Sequence, residues 1–166
     1  MNFDSVVQNN ALYQILYIND YVKGLGFPTS IGKFKLKDEF HVSLLKLPLE
    51  DLDDATREKI IEVGKVNSAV LTETPRLTGE FLHVVDTDRE RESMIALVDF
   101  PNVEKWRAKI REILPDVKFA IPHTTLYTYN CGGIFLNPED FEKMTRELDA
   151  ETYQTLHEIW KEKTNA

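Results

Sequence analysis

The order of apolar and polar positions along the chain predicts both strands and helices. Short runs of β-branched, aromatic and other apolar residues, bounded by charged residues, glycine or proline, are typical of strands. Such runs cover residues 13–18, 39–47, 76–86, 93–100 and 119–129. Glycine and proline interrupt the segment 19–37, which is therefore predicted as a long loop that ends in a half-exposed strand.

Apolar residues three and four positions apart predict helices in the stretches between the strands. They occur over 53–66, where acidic residues precede the repeat, and over 103–113, where Pro115 ends it. A third helix is expected to begin at Asn137-Pro138, because asparagine caps a helix and proline favours its first turn. Strands that follow one another without regular helical crossovers favour an α+β fold with antiparallel pairing.

Composition and charge limit the size of the protein and its partners. The chain has 166 residues, of which 42% are hydrophobic and 29% charged, so residues 1–166 are interpreted as a single soluble domain. The formal net charge is −8. An acidic protein is unsuited to binding long nucleic acid through a broad positive surface, but it can hold a short or cyclic oligonucleotide in a local pocket.

Cysteine usage and hydropathy narrow the class of protein further. Cys131 is the single cysteine, which excludes an internal disulfide framework and a cysteine-rich zinc site. No run approaches the roughly 20 apolar residues that cross a bilayer, and the first residues do not resemble a signal peptide. We therefore expect a cytoplasmic, monomeric protein that does not bind membranes.

Two of the predicted strands carry the same short motif, which reads HVSL at 41–44 and HTTL at 123–126. Side chains alternate along a strand, so each histidine and the hydroxyl residue two positions later face the same way. One copy would be unremarkable, whereas a duplicated copy in two apolar strands is informative. Two such strands side by side would present four polar groups to one site, those of His41, Ser43, His123 and Thr125.

These four groups suit attack on a phosphodiester. A neutral imidazole can take a proton from the nucleophile, and a protonated imidazole can give one to the leaving oxygen. Histidine serves both purposes because its ordinary pKa lies near neutrality. The hydroxyls of Ser43 and Thr125 would donate hydrogen bonds to the non-bridging phosphate oxygens. This scheme requires no metal and no cofactor.

The two motifs resemble those of the 2H phosphoesterase superfamily, which includes 2′-5′ RNA ligase-like proteins and cyclic nucleotide phosphodiesterases. The resemblance covers roughly residues 13–129, although only the motifs are specific. It implies a bilobal fold in which two antiparallel sheets, with helices outside, enclose a central cleft. It also implies metal-independent hydrolysis of 2′,3′-cyclic phosphates or 2′-5′ linkages, or the related ligation. By this resemblance His123 is assigned as general base and His41 as general acid. Because the two motifs are arranged with two-fold symmetry, the two roles could also be exchanged.

Aromatic residues near the motifs are candidates for stacking on a nucleobase. Strand alternation places Tyr127 and Tyr129 on the face of the second motif, where a ring could stack on a base or pack in the core. Phe81 is a weaker candidate, and His83 on the same strand is expected to be structural. Candidate phosphate contacts are Lys33, Lys35, Lys37, Lys46 and Arg76.

Three other functions stay open on the sequence. A 2′-5′ RNA ligase would use the same four groups in reverse, so the motifs do not separate it from a hydrolase. A non-catalytic nucleotide-binding module could keep the pocket, although the presence of both imidazoles and both hydroxyls argues against it. A metal hydrolase would need a third ligand beside His41 and His123, and none stands at ligand spacing. The leading expectation is a hydrolase whose partner is a short RNA or a cyclic or 2′-5′-linked oligonucleotide.

Overall fold

The computed structural model describes residues 2–165 and has an α+β fold, as the sequence predicts. The strands are β1 (Asn2–Gln8), β2 (Ala11–Tyr17), β3 (Ser30–Ile31), β4 (Phe34–Leu36), β5 (His41–Pro48), β6 (Arg76–Asp86), β7 (Arg91–Asp99), β8 (His123–Tyr129) and β9 (Thr145–Glu147). The helices are α1 (Asn19–Leu25), α2 (Asp54–Asn67), α3 (Val103–Arg111), α4 (Pro138–Met144) and α5 (Ala150–Thr164). None of the helices within 2–165 combines the length and the apolar character that a bilayer crossing needs.

The strands form one antiparallel sheet, whereas the family resemblance implied two separate sheets. The strand order is β1-β2-β5-β8-β7-β6-β9. The β3–β4 hairpin lies off this order: β4 pairs with the later part of β8, beyond the residue of β8 that pairs with β5. Across the described residues, β5 and β8 are joined by a single residue pair, Val42 with Thr124. The pairs β1–β2 and β6–β7 extend over most of their strands. The sheet therefore has two well-paired parts that meet at a narrow seam, the Val42–Thr124 pair.

Two β-bulges lie close to this seam. The register of β5 against β2 skips Leu44, and the register of β8 against β7 skips Leu126. Each skipped leucine directly follows the hydroxyl residue of a motif, Ser43 or Thr125. An extra residue shifts the alternation by one, so the residues beyond each bulge face the side opposite to the one that strict alternation predicts.

The main core lies on the face of the sheet that α1, α2, α3 and α5 cover. Trp106 of α3 is fully buried in it, and its Nε1 donates a hydrogen bond of 3.0 Å to the Gly64 carbonyl of α2. A second, smaller apolar cluster lies on the other face, beneath the segment that leads into α4, and comprises Val84, Ile95, Ile134 and Leu136. This second face stays open beside the seam, and that opening forms the cleft of the candidate site.

Several segments differ from the sequence-based expectation. Residues 2–8 form the edge strand β1, which the sequence pattern did not predict. Residues 19–25 form helix α1 instead of a loop, because Val22 and Leu25 give it a buried face. Gly26 ends this helix with φ 77°, a left-handed conformation that glycine adopts without strain. The strand predicted over 119–129 begins only at 123.

Helix α5 docks on a distorted part of β6, where the register with β7 shifts between residues 77 and 81. Trp160 Nε1 donates to the Leu77 carbonyl at 3.2 Å, and the His157 ring donates through Nδ1 to the Gly79 carbonyl at 3.0 Å. Gly79 has φ +91°, and a Cβ atom there would stand 2.6 Å from the Trp160 ring. The close contact of α5 with the sheet therefore depends on glycine at this position.

Candidate functional site

The seam between β5 and β8 brings the two motifs together. Val42 and Thr124, the residues that pair across it, are fully buried and face the helix-covered core. Alternation turns the residues on either side of them towards the opposite face. There all four predicted groups line one cleft of about 1070 Å³: His41, Ser43, His123 and Thr125. Because the strands are antiparallel, His41 lies towards Thr125, and Ser43 lies towards His123.

His123 is held in one tautomer by the backbone. Its Nδ1 lies 2.6 Å from the carbonyl oxygen of Ile121. A carbonyl only accepts hydrogen bonds, so Nδ1 carries the proton in the neutral ring and Nε2 keeps its lone pair. Burial lowers the pKa of His123, and hydrogen bonding to the backbone of Ile121 and Ile134 opposes that shift only in part. The buried ring is therefore a neutral proton acceptor at neutral pH.

His41 has a different environment. Its Nδ1 lies 3.4 Å from Oε1 of Glu39, which is within ion-pair range, but no described group forms a well-aligned hydrogen bond with this buried nitrogen. Burial lowers the pKa of His41 most, the positive charge of Lys37 lowers it further, and Glu39 acts in the opposite direction. His123 also lowers this pKa, so the two imidazoles lie within electrostatic range of each other.

Lys37 is the predicted cation that the structure places beside the motifs. Its Nζ donates a hydrogen bond to the Gly132 carbonyl across the cleft. A Cβ atom on Gly133 would lie 3.6 Å from Thr125 Oγ1 and 3.7 Å from Lys37 Nζ, so the hydroxyl and the ammonium converge on this glycine. Burial lowers the pKa of Lys37, while Glu39 partly opposes this effect. The absence of a side chain at Gly133 leaves space for a ligand beside both groups.

The other predicted cations are distributed differently. Lys46 lines the cleft. Lys33 pairs with Glu92, and Arg76 lies 5.4 Å from the ring centroid of Tyr21, both away from the cleft. Lys35 is exposed on β4. Of the five candidates, Lys37 and Lys46 are thus in a position to contact a bound anion.

None of the three aromatic residues predicted to stack on a base lines the cleft, and for the buried Tyr127 and Phe81 this corrects the prediction. Tyr127 is fully buried, and its hydroxyl donates to the Pro28 carbonyl at 2.6 Å. It faces the core because the bulge at Leu126 reverses its side relative to the second motif. Phe81 is 1% exposed in the helix-covered core, where it makes edge-to-face contacts with Phe27 and Tyr153.

Tyr129 is the third of these residues, and it is partly exposed. Its ring contacts Phe34 edge to face, and the Lys33 ammonium lies 4.4 Å from its centroid. His83 lies in the same group of side chains, where its Nε2 contacts Glu92 at 2.9 Å. The group fastens the β3–β4 hairpin to the sheet, so His83 has the structural role that the sequence predicts.

Aromatic residues that the sequence reasoning missed line the cleft instead. The Lys46 ammonium lies 5.7 Å from the ring centroid of Tyr13 and 5.8 Å from that of Phe135. Tyr17 contacts the His41 ring edge to face, with centroids 6.3 Å apart. The alternation of residues 13, 15 and 17 in a predicted strand was the available signal, because all three share the cleft face. No such signal marked Phe135, which follows the glycine-broken segment.

Charged side chains line another part of the cleft, and two of them, Asp86 and Arg91, form an ion pair. Arg91 Nη2 lies 2.6 Å from Asp86 Oδ2, and this hydrogen-bonded pair holds the pKa of Asp86 below its usual range. Asp88 and Arg89 also line this part. Among residues 2–165, no group of three or more histidine, cysteine or acidic side chains is arranged to hold a metal ion.

Comparison with known proteins finds no matching family model, curated protein or solved structure. The cleft and its two motifs are therefore the observations from which a function is inferred.

Proposed function

We propose that the protein is a metal-independent phosphodiesterase that hydrolyses 2′,3′-cyclic phosphates or 2′-5′-linked or cyclic oligonucleotides. The observation that carries the proposal is the convergence of His41, Ser43, His123 and Thr125 at the seam, on the open face of the sheet. Two imidazoles and two hydroxyls around one space provide a proton acceptor, a proton donor and two donors for phosphate oxygens. The resemblance of the two motifs to those of 2H phosphoesterases points to the same chemistry.

The proton acceptor in this proposal is His123. Its Nδ1 proton is directed to the Ile121 carbonyl, so Nε2 takes the proton of the attacking water as the new oxygen–phosphorus bond forms. His41 gives a proton to the leaving oxygen as the old bond breaks. With a 2′-5′ linkage, the adjacent ribose hydroxyl can replace water as the nucleophile, which yields a cyclic phosphate and a free 5′-hydroxyl.

Two hydroxyls and one ammonium group stabilise the negative charge on the non-bridging phosphate oxygens. The Ser43 and Thr125 hydroxyls donate hydrogen bonds from opposite sides of the seam. The Lys37 ammonium, which converges with Thr125 on Gly133, offsets the negative charge. Donors fixed before the reaction stabilise developing charge without the cost of reorganising solvent.

The rest of the cleft suits a nucleotide. Its volume of about 1070 Å³ is slightly above the roughly 300–1,000 Å³ that is typical of small-ligand pockets, so there is room beyond a single phosphate. Tyr13 and Phe135 offer aromatic surface at one end, and stacking of a base on such a ring contributes about 1–3 kcal/mol. Lys46 between them can contact a second phosphate. A short oligonucleotide fits these features better than a long nucleic acid, which the net charge of −8 disfavours.

A turnover screen tests the proposal. Purified protein is offered 2′,3′-cyclic mononucleotides, 2′-5′ and 3′-5′ oligonucleotides, and cyclic di- and trinucleotides, with and without EDTA. We expect turnover of at least one class, unchanged by EDTA, and a loss of about 10²-fold or more in kcat for His41→Ala and for His123→Ala. His83→Gln is the matched control, since it changes a histidine on the opposite face.

Other outcomes of this screen would assign a different function. Full activity of either alanine variant would overturn the catalytic roles, and inhibition by EDTA would favour a metal hydrolase. Joining of RNA ends in the same assay would identify a 2′-5′ RNA ligase. Binding of a nucleotide without any turnover would identify a non-catalytic module.

A further inference from the structure

The two motifs are nearly identical in sequence, but the groups that face their Nδ1 atoms differ. Nδ1 of His123 lies 2.6 Å from the neutral carbonyl of Ile121. Nδ1 of His41 lies 3.4 Å from the carboxylate of Glu39. A neutral carbonyl fixes the tautomer with the proton on Nδ1 and only partly offsets the effect of burial, whereas the negative charge of a carboxylate favours the imidazolium directly. This asymmetry distinguishes two histidines that their motifs alone leave interchangeable.

We infer that Glu39 is a positioning residue that makes His41 the proton donor of the cleft and thereby leaves His123 as the acceptor. The inference rests on the proposed phosphodiesterase function and assigns the direction of its proton transfer. Glu39 touches neither the nucleophile nor the leaving group. It acts through His41, since a carboxylate at Nδ1 stabilises the protonated ring while Nε2–H is directed to the substrate.

Backbone anchoring holds Glu39 on the cleft side. Phe40, which separates Glu39 from His41, is 1% exposed in the core. Its N–H donates to the Asn19 side chain, and its carbonyl accepts a hydrogen bond of 2.9 Å from the Ile18 N–H. These two hydrogen bonds hold the backbone of Phe40 in place with its side chain in the core. The side chains of Glu39 and His41 therefore both project to the opposite face, where they line the cleft.

The charges around His41 explain why Glu39 affects the protonation of this imidazole. Lys37 comes from the segment before β5, His123 from β8 and Tyr17 from β2. Lys37 and His123 disfavour the imidazolium, as burial does, and Glu39 is the anion that opposes them. A bound phosphodiester adds negative charge beside Lys37 and so acts in the same direction as Glu39. His41 is therefore protonated most readily when substrate occupies the cleft.

NMR titration of the imidazoles tests the inference without an assay of activity. Labelled wild-type protein is compared with Glu39→Gln and with Asp38→Asn. Asp38→Asn is the matched control, because it removes the same charge from the adjacent, exposed position that does not line the cleft. We expect Glu39→Gln to lower the pKa of His41 and to leave that of His123 unchanged, and Asp38→Asn to move neither. An unchanged His41 pKa in Glu39→Gln, or an equal shift of both histidines, would overturn the inference.

Kinetics supply the second readout. We expect Glu39→Gln to lower kcat about two- to fivefold at a pH above the His41 pKa, with little change in KM, because the half-exposed carboxylate interacts through solvent. The loss should shrink towards lower pH and should be restored by Glu39→Asp. A pH-independent loss would contradict a role in protonation. If the wild type turns over none of the substrates, the proposed function fails, whereas the NMR titration still decides the role of Glu39.

Discussion

Lys37 illustrates how one side chain can determine the affinity of the cleft for an anion. Its ammonium is half-buried, so it is partly stripped of water, and among the described groups it hydrogen-bonds to the carbonyl of Gly132. A phosphate oxygen beside Gly133 would find both this cation and the Thr125 hydroxyl. A charge-assisted hydrogen bond of this kind contributes about 1.5–3 kcal/mol.

Lys37→Met should therefore reduce kcat/KM for a phosphodiester about 10- to 100-fold, since each 1.36 kcal/mol corresponds to a factor of ten. Methionine keeps much of the apolar stem but removes the charge. Lys35→Met, at an exposed position of β4 two residues earlier in the chain, should stay within about twofold of the wild type. Steady-state kinetics at low salt measure both variants, and equal losses in the two would show that the cleft cation has no special role.

At the scale of elements, the fit of α5 against β6 depends on Gly79. A β-carbon there would meet the Trp160 ring at 2.6 Å, and the backbone already has φ +91°. We expect Gly79→Ala to lower the free energy of unfolding by about 2–4 kcal/mol, from the sum of backbone strain and steric overlap. Urea denaturation followed by circular dichroism provides the measurement.

Gly24 in helix α1 is the matched control for this substitution. No atom lies within 4 Å of the position where its β-carbon would stand, and its backbone has ordinary helical handedness. Gly24→Ala should be neutral or raise the free energy of unfolding by up to about 1 kcal/mol. A Gly79→Ala protein as stable as Gly24→Ala would show that α5 does not need the close contact.

Elements also show what the sequence could and could not predict. The pairing of each histidine with a hydroxyl was predictable, because alternation holds over the three residues of each motif. Tyr127 was misplaced because the bulge at Leu126 intervenes, and bulges have no reliable sequence signal here. Lys46 enters the cleft for the corresponding reason, beyond the bulge at Leu44. Helix α1 was missed because its glycine-rich surroundings masked a short amphipathic turn.

For the whole molecule, the buried histidines predict how stability depends on pH. The pKa values of His41 and His123 are both lowered, chiefly by burial. The unfolded chain takes up protons on them near pH 6.5, where the folded chain does not, so the unfolded state binds more protons as the pH falls. The free energy of unfolding should therefore decrease from pH 7.5 to pH 5.5. Carboxylates with lowered pKa values add a further loss only below about pH 5.

Urea unfolding at several pH values checks this dependence, with His123→Asn as the comparison. Asparagine can still donate to the Ile121 carbonyl but does not titrate, so its stability should fall less steeply over the same range. Stability that is constant or rises on acidification between these limits would show that neither histidine is held neutral by the fold.

The narrow seam between β5 and β8 has a mechanical consequence. Backbone hydrogen bonds resist bending across a sheet, and β5 itself pairs with β8 only through Val42 and Thr124, next to the 2.9 Å bond from the Lys37 N–H to the Leu126 carbonyl. We therefore expect flexing of the sheet to concentrate here. His41 and Thr125 stand on one side of that hinge, and Ser43 and His123 stand on the other. A pivot of a few degrees would widen one of these gaps while it closes the other. A ligand that contacts residues of both strands would restrict this motion. The cleft should therefore be more rigid when a ligand is bound than when it is empty.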